Sequence, residues 1–191
     1  TKWAYQAFDE DKKEDFNKFQ SGDYPITHPN TDWHAEVFSD YAVQSHQNIS
    51  ARGGAENIKY YISGDILSQD FMYKGDDMYN HNYQIRSNID AQVSEFLSVG
   101  VDLLGRYKDF HSSVAGSSGI FSNTRILKPM SVARYPNGLL AYGFEGGNPL
   151  IKITDKAGWN ETEGKVFTSK LSFDLDMDWI TEGLNLIGFA A

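Results

Sequence analysis

The stretch that decides the fold lies between residues 83 and 93, where apolar and polar residues alternate without interruption. It reads Tyr83-Gln84-Ile85-Arg86-Ser87-Asn88-Ile89-Asp90-Ala91-Gln92-Val93. Because successive side chains of a strand point to opposite sides, this pattern predicts a β-strand with one apolar and one strongly polar face. A usual strand has about 5–6 residues, whereas a tilted strand that crosses a lipid bilayer has about 9–11. This coincidence of period and length is the main clue to the function of the chain.

Composition excludes several classes of protein. The chain has 191 residues, a formal net charge of -9 and no cysteine. An acidic chain lacks the basic surface that neutralises phosphates, so nucleic acid is excluded as a partner. Without cysteine there is no disulfide framework, cysteine zinc site or thiol nucleophile.

The hydropathy of the sequence is compatible with both a membrane β-barrel and a soluble protein. No stretch approaches 18 consecutive apolar residues, so the sequence predicts no transmembrane helix. The mean hydropathy of -0.48 is compatible with a membrane β-barrel, because barrel strands place half of their residues on a polar lumen. It is equally compatible with a soluble protein.

The N-terminal part is predicted to be helical and the remainder to be strands. A charged helix is expected over residues 9–20, and Thr31 or Asp32 is expected to cap a short helix. Six strands are expected, over residues 47–52, 58–69, 83–93, 97–108 and 165–179 and from residue 184 onward. Gly53-Gly54 is interpreted as part of a turn, and residues 109–163 as a long irregular loop.

The links and charges of these strands show a pattern. Short turns alternate with long links, as in membrane barrels with short periplasmic turns and long extracellular loops. In the second to fifth strands, the central charged residues share the polar face, and Lys165 is the exception near a strand end. A half-buried soluble sheet avoids charge on its buried face in the same way. The pattern alone leaves a membrane barrel and a soluble β-sandwich or barrel both open.

Three local sequences resemble one family of transporters. They are Tyr24-Pro25 with Pro29-Asn30-Thr31-Asp32-Trp33 and Glu36-Val37-Phe38; Gln47-Asn48-Ile49-Ser50-Ala51-Arg52-Gly53-Gly54; and Tyr60-Tyr61-Ile62-Ser63-Gly64. The first resembles the segment that leads into the barrel of SusC/RagA-type TonB-dependent transporters. The others resemble the first two barrel strands of that family. The resemblance covers residues 16–107 and departs from the family at His34, Ala35, Ala51 and Arg52.

The resemblance implies an all-β fold: about six up-and-down strands of a large plugged transmembrane barrel, preceded by a short helical segment. It implies that residues 1–45 link a plug to the barrel, and that residues 46–191 form the first barrel strands with an extracellular loop at 109–163. The implied function is import of oligosaccharides or peptides across the outer membrane of a Gram-negative cell. The implied partners are a SusD-like surface lipoprotein, outer-membrane lipid, and TonB through an N-terminal region that this chain does not contain. Plugged transporters have 22 strands, so the sequence is expected to be partial.

The candidate functional residues are few, and none of them points to catalysis. Five scattered histidines show no metal-ligand spacing, and the sequence contains no nucleophile elbow, P-loop or dinucleotide fingerprint. We therefore expect no enzyme, cofactor or metal.

The resemblance predicts a lumen-facing position for Arg86, Asp90, Asp174 and Asp176. Aromatic side chains of the long loop are the predicted substrate or partner contacts: Tyr135, Tyr142, Phe144 and Trp159. Phe96 and Trp179, beside short turns, are predicted to belong to an aromatic girdle. The alternative function is a soluble β-domain that binds glycan or protein.

Overall fold

The structure, a computed structural model, describes residues 9–75, 78–142 and 147–191. The chain divides into two compact units. The sheet unit comprises Val43–Asp70, Tyr79–Phe110 and Glu161–Ala191. The loop unit comprises the described residues of Thr1–Ala42, Phe71–Met78 and His111–Asn160.

Six strands form one antiparallel sheet in which each strand pairs with the next along the chain. Their bounds are β1 Gln44–Ala55, β2 Ile58–Asp70, β3 Tyr79–Ser94, β4 Leu97–Ser113, β5 Trp159–Asp176 and β6 Asn185–Ala190. This up-and-down order confirms the predicted strand sequence. β3 and β4 extend beyond the predicted limits, since the strands continue past their alternating apolar segments. β5 begins at Trp159, before the predicted residue 165, and ends at Asp176, before the predicted residue 179.

The pairing register keeps like residues on the same face. On one side of the sheet, Ile85 of β3 pairs with Gly64 of β2, and Ile89 pairs with Tyr60. On the other side, Asp90 pairs with Lys59. Side chains at directly opposed positions share a face, so the sheet has an apolar face and a polar face, as the alternation predicts.

One predicted turn is wrong. Gly53 and Gly54 continue β1, where Gly53 pairs with Tyr60 and Gly54 with Lys59. A Cβ at residue 53 would stand 2.6 Å from the Tyr60 hydroxyl oxygen, so the aromatic ring occupies the space above the glycine. Cross-strand covering of this kind keeps glycine in a strand, and the turn is confined to Glu56 and Asn57.

The sheet unit has no buried apolar side chain among its described residues. Ile49 is 78% exposed and Ile85 is 60% exposed, although both lie on the apolar face. Hydrogen bonds between strands therefore hold this unit together, and its apolar face has no cover within the unit.

Helices form part of the loop unit. They are α1 Glu10–Ser21, α2 Trp33–Val37, α3 Gly116–Ile126 and α4 Pro149–Lys152, with a 3₁₀ turn at Asp155–Ala157. α1 ends at Gly22, whose φ of 74° suits glycine. Asp32 caps α2 through its side-chain oxygen, which accepts from the amides of His34 and Ala35, as predicted. No helix of the described residues is long and apolar enough to span a membrane.

The predicted irregular loop over residues 109–163 is partly wrong. β4 runs to Ser113, β5 begins at Trp159, and α3 and α4 lie between them. The sequence of α3, rich in Gly and Ser, is a poor helix former. Ile120 of α3 is fully buried, so burial of an apolar side chain overrides the local preference.

A hydrophobic core lies inside the loop unit. Its buried members are Trp33, Val37, Phe38, Tyr73, Met78, Ile120, Ala133, Leu150 and Ile153. The indole of Trp33 donates to the Lys128 carbonyl at 3.0 Å, and the Tyr73 hydroxyl donates to the Ser117 carbonyl at 2.9 Å. Burial raises the pKa of Tyr73 above its ordinary value because the phenolate would lose its hydration. The N-terminal segment and the long links thus share one core.

Candidate functional site

The polar face of the sheet holds most of the predicted lumen-facing residues. Arg86 and Asp90 both lie on this face of β3, opposite Ser63 and Lys59 of β2. These positions follow directly from the alternation, because the polar partners share their parity along the strand. What this face lines stays a prediction.

Cross-strand polar contacts connect the strands on this face. Asn88 of β3 donates to the carboxylate of Asp102 in β4, and Lys170 of β5 lies 3.9 Å from the same carboxylate. The Arg106 guanidinium donates to the Gln84 side-chain oxygen at 3.2 and 3.3 Å. Exposed pairs of this kind are each worth at most about 1 kcal/mol. They make a hydrated, mixed-charge surface.

A narrow recess lies at one part of the polar face. Its floor is Gly100, where a Cβ would stand 2.6 Å from the Ser172 hydroxyl oxygen and 3.0 Å from an Asp90 carboxylate oxygen. Lys59 and Asp174 also line this recess, whose volume is about 290 Å³. Glycine is required here because the polar side chains of β3 and β5 close over β4.

Asp174 and Asp176 have different surroundings. Asp174 pairs with Ile187 of β6 and borders the recess. Asp176 ends β5, and its carboxylate accepts from the Asp178 amide at 2.9 Å. Its carboxylate therefore stabilises the turn between β5 and β6 in addition to lying on the polar side of its strand.

Part of the predicted contact loop forms a hydrogen-bonded hairpin in the loop unit. Arg134 and Leu140 form an isolated antiparallel bridge, and the Tyr135 amide donates to the Leu139 carbonyl at 2.8 Å. Gly138 occupies the turn with a φ of 82°, and its amide donates to the Tyr135 carbonyl at 2.9 Å. Such a turn presents its flanking side chains in a fixed geometry.

Asn148 fastens the base of this hairpin. Its buried side-chain amide donates to the carbonyls of Ala133 and Ala141, both at 2.8 Å. Its side-chain oxygen accepts from the Leu150 amide at 3.0 Å and so caps α4. Three hydrogen bonds satisfy this side chain and join both arms of the hairpin to a helix.

The predicted aromatic contacts separate into three cases. Tyr142 is 90% exposed and Tyr135 is 42% exposed, so both rings are accessible to solvent. Trp159 packs against the core of the loop unit, with its ring centroid 4.9 Å from that of His111. Phe144 lies outside the described residues. Tyr135 and Tyr142 remain the accessible candidates among the described residues of this set.

The two predicted girdle residues lie together in the structure. The rings of Phe96 and Trp179 meet edge to face with centroids 5.8 Å apart. Each is more than half exposed, and they lie next to the turns that follow β3 and β5. This pair is the aromatic cluster that an interfacial belt would use.

Sequence reasoning missed the roles of Asn148 and Gly100. The Asn148-Pro149 dipeptide carries a recognisable signal, because Asn is a frequent N-cap and Pro a frequent first helical residue. Nothing in the sequence around Gly100 indicates its close contacts, which depend on side chains of two other strands.

Known proteins similar to this chain are TonB-dependent receptors and transporters. The chain is 29% identical over 149 residues to TonB-dependent receptor P3 of Formosa agariphila, a match that covers 77% of this chain and 14% of the receptor. It is 28% identical over 92 residues to TonB-dependent receptor P26 of the same species, covering 48% and 9%. No family model matches the chain.

A solved structure shows the same fold. The structure of the RagAB peptide transporter matches with a TM-score of 0.59 and 20% identity, covering 96% of this chain and 20% of that chain. Together with the receptor matches, this confirms the predicted resemblance to part of a SusC/RagA-type TonB-dependent transporter. The chain spans about a seventh of the curated relative P3.

Proposed function

We propose that this chain is part of a TonB-dependent outer-membrane transporter that imports oligosaccharides or peptides together with a SusD-like surface lipoprotein. The receptor matches and the RagAB fold support the class of protein. The SusD-like partner and the two substrate classes come from the SusC/RagA resemblance. The proposal includes no catalytic role. The chain would contribute strands to the barrel wall and loops to the extracellular surface of the transporter.

The observation that carries the proposal is the uncovered apolar face of the sheet unit. In a soluble sandwich, one face of each sheet is buried in a core. Here the described sheet residues provide no such core. Contact with bilayer hydrocarbon removes this face from water, and the opposite polar face then lines a hydrated lumen that includes Arg86, Asp90 and Asp174.

The proposal also assigns an orientation. Two-residue turns follow β1 and β3, and the link after β4 is long. The links after β2 (71–78) and after β5 (177–184) are equally long, but only the former belongs to the loop unit. In membrane barrels the short turns are periplasmic and the long loops are extracellular. Because Trp33, Tyr73 and Ile120 share one core, the proposal puts the N-terminal segment on the extracellular side with both long links. The role of residues 1–45 as a linker between plug and barrel stays a prediction.

Extracellular placement makes Tyr135 and Tyr142 candidate contacts for the substrate or the lipoprotein. Their rings project from a hairpin that Asn148 holds in place, so little conformational entropy is lost on binding. Aromatic rings of this kind suit both a sugar face and an apolar patch of a protein partner.

The test is a pair of arginine substitutions in the full-length protein. Ile89→Arg puts a charge on the apolar face, where it would cost roughly 2–4 kcal/mol at the bilayer midplane. Asn88→Arg is the matched control, since the neighbouring side chain lies on the polar face beside Asp102. We expect Ile89→Arg to reduce the heat-modifiable barrel in outer-membrane fractions at least tenfold and Asn88→Arg to leave it unchanged. Normal membrane assembly of Ile89→Arg would contradict the proposal.

A further inference from the structure

The apolar face of the sheet is not flat, because a trough of about 730 Å³ crosses it. Its walls are side chains of five strands, namely Ile49, Ile66, Tyr83, Ile85, Tyr107 and Phe167. Gly64 and Gly105 form its floor on either side of Ile85. The missing side chain of Gly64 opens the depression, whereas an Ile85 methyl carbon lies 3.1 Å from where a Cβ of residue 105 would stand.

At other glycines on the same face, neighbouring side chains fill the space that a Cβ would occupy. A Cβ at Gly53 would meet the Tyr60 ring, and a Cβ at Gly188 would stand 2.5 Å from the Phe173 ring. Neighbouring aromatic side chains therefore cover these two positions. At Gly64, the nearest atom to a Cβ would be an Ile49 methyl carbon at 3.7 Å, an ordinary contact.

Gly64 thus has no reason within the sheet unit to lack a side chain. Its φ is not positive, and a larger residue would fit. Glycine in a strand interior lowers stability and often marks a place where a ligand approaches closely. The trough is a space that the sheet leaves open at some expense in stability.

The chemistry of the trough selects a hydrocarbon chain. Among the described residues that line it, the two charged side chains, Asp65 and Arg106, lie on the polar face and bind Asn48 and Gln84. Lys165, outside the lining, lies with its ammonium 5.4 Å from the Tyr107 ring centroid. The Tyr107 hydroxyl at one side donates to Glu163 at 3.1 Å, and Glu163 in turn binds Lys165 at 3.1 Å. An apolar trough beside a polar cluster matches a molecule with an apolar tail and a polar head.

The dimensions agree with this assignment. Five strands are separated by four spacings of about 4.8 Å, so the trough is roughly 19 Å long. One leaflet of a bilayer core is about 15 Å deep, half of ~30 Å, and the strands are tilted by about 35–45°. A second copy of this chain fits less well, since a two-fold interface would place trough against trough.

We propose that this trough binds one acyl chain of a membrane lipid, whose headgroup lies at the level of the Tyr107, Glu163 and Lys165 cluster. The assignment rests on the proposed function, because it requires this face to contact the bilayer. It goes beyond the proposed function because it distinguishes one specifically bound lipid from the lipids that exchange freely around the barrel.

The test uses the full-length transporter in nanodiscs made of phosphatidylglycerol, with a trace of the same lipid carrying a diazirine in its acyl chain. After illumination, mass spectrometry locates the lipid adducts. We expect adducts concentrated on the peptide that contains Ile85 and at least tenfold fewer when Gly64→Leu fills the floor. Ala51→Leu is the matched control, since it adds the same side chain to the same face outside the trough and should leave labelling unchanged.

Two outcomes would overturn this assignment without touching the proposed function. One is equal labelling of Gly64→Leu and Ala51→Leu in correctly assembled barrels. The other is adducts spread evenly over the apolar faces of all the strands, as exchanging lipid would give. If Gly64→Leu fails to assemble, Gly64→Ala takes its place, because its methyl group makes only the 3.7 Å contact with Ile49; we expect it to reduce adducts at least twofold, and unchanged labelling would contradict the proposal.

Discussion

The sheet unit and the loop unit bury their apolar residues in opposite ways. In the loop unit, Val37 and Ile120 are 0% exposed and belong to a closed core. In the sheet unit, residues of equal hydrophobicity such as Ile49 and Ile85 remain largely exposed. The difference shows that the loop unit supplies its own apolar environment, whereas the sheet unit needs one from outside.

The largest expected effect concerns the side of the membrane on which the loop unit lies. In a cysteine-free background of the full-length protein, we introduce Lys12→Cys in α1, Tyr142→Cys in the loop unit and Glu56→Cys in the β1–β2 turn. A membrane-impermeant maleimide added to intact cells should label the first two and not the third. Protection of Lys12→Cys with labelling of Tyr142→Cys would contradict the extracellular N-terminal segment.

The second prediction compares equal truncations in the two units. Ile120→Ala removes a fully buried side chain and should lower the local unfolding free energy of the loop unit by about 2–5 kcal/mol. Ile85→Ala removes a side chain that faces outward, so its effect on the sheet should stay below about 1 kcal/mol. Hydrogen–deuterium exchange of the assembled protein, read peptide by peptide, measures both. Similar decreases in local unfolding free energy for the two variants would contradict the difference proposed between the units.

The third prediction tests how firmly the aromatic hairpin is held. Asn148→Ala leaves the Ala141 carbonyl and the Leu150 amide without their side-chain partner, whereas the Ala133 carbonyl still accepts from the Ala141 amide at 3.0 Å. We expect a loss of about 1–3 kcal/mol in local stability, because buried polar groups without partners are costly. Asn137→Ala is the control, since it removes one exposed hydrogen bond to the Leu139 amide. Faster exchange of residues 133–142 in the first variant alone is the expected result.

Local pattern predicted the central strands well because each of their faces is mostly of one kind, whereas Ile187 of β6 lies opposite Asp174 on the polar face. The alternation at Tyr83–Val93 marked β3 correctly, and the cap at Asp32 marked the start of α2. The pattern failed at Gly53, where the Tyr60 ring on the neighbouring strand makes glycine acceptable. It also failed at α3, where burial of Ile120 outweighs poor helix propensity.

The candidate site was predictable to a smaller extent. Parity along β3 placed Arg86 and Asp90 on the polar face, because strand geometry alone decides it. The trough at Gly64 was not predictable, since whether a neighbour covers a glycine depends on the register between strands. Tryptophan is a residue type common at binding surfaces, and only the structure shows that the ring of Trp159 packs against a core.

The core of the loop unit has a consequence for the order of assembly. Hydrogen bonds from Thr31 to Ser131 and from Trp33 to Lys128 join residues 100 and 95 positions apart, and β1 to β4 lie between these positions. Closing so long a segment is entropically less demanding once the intervening strands have paired. A strand that slips by one residue moves its apolar side chains to the polar face. The slip also shifts the chain ends that lead to the two segments joined by these hydrogen bonds. We therefore expect the loop unit to close late in folding, and only in chains whose first four strands are in register.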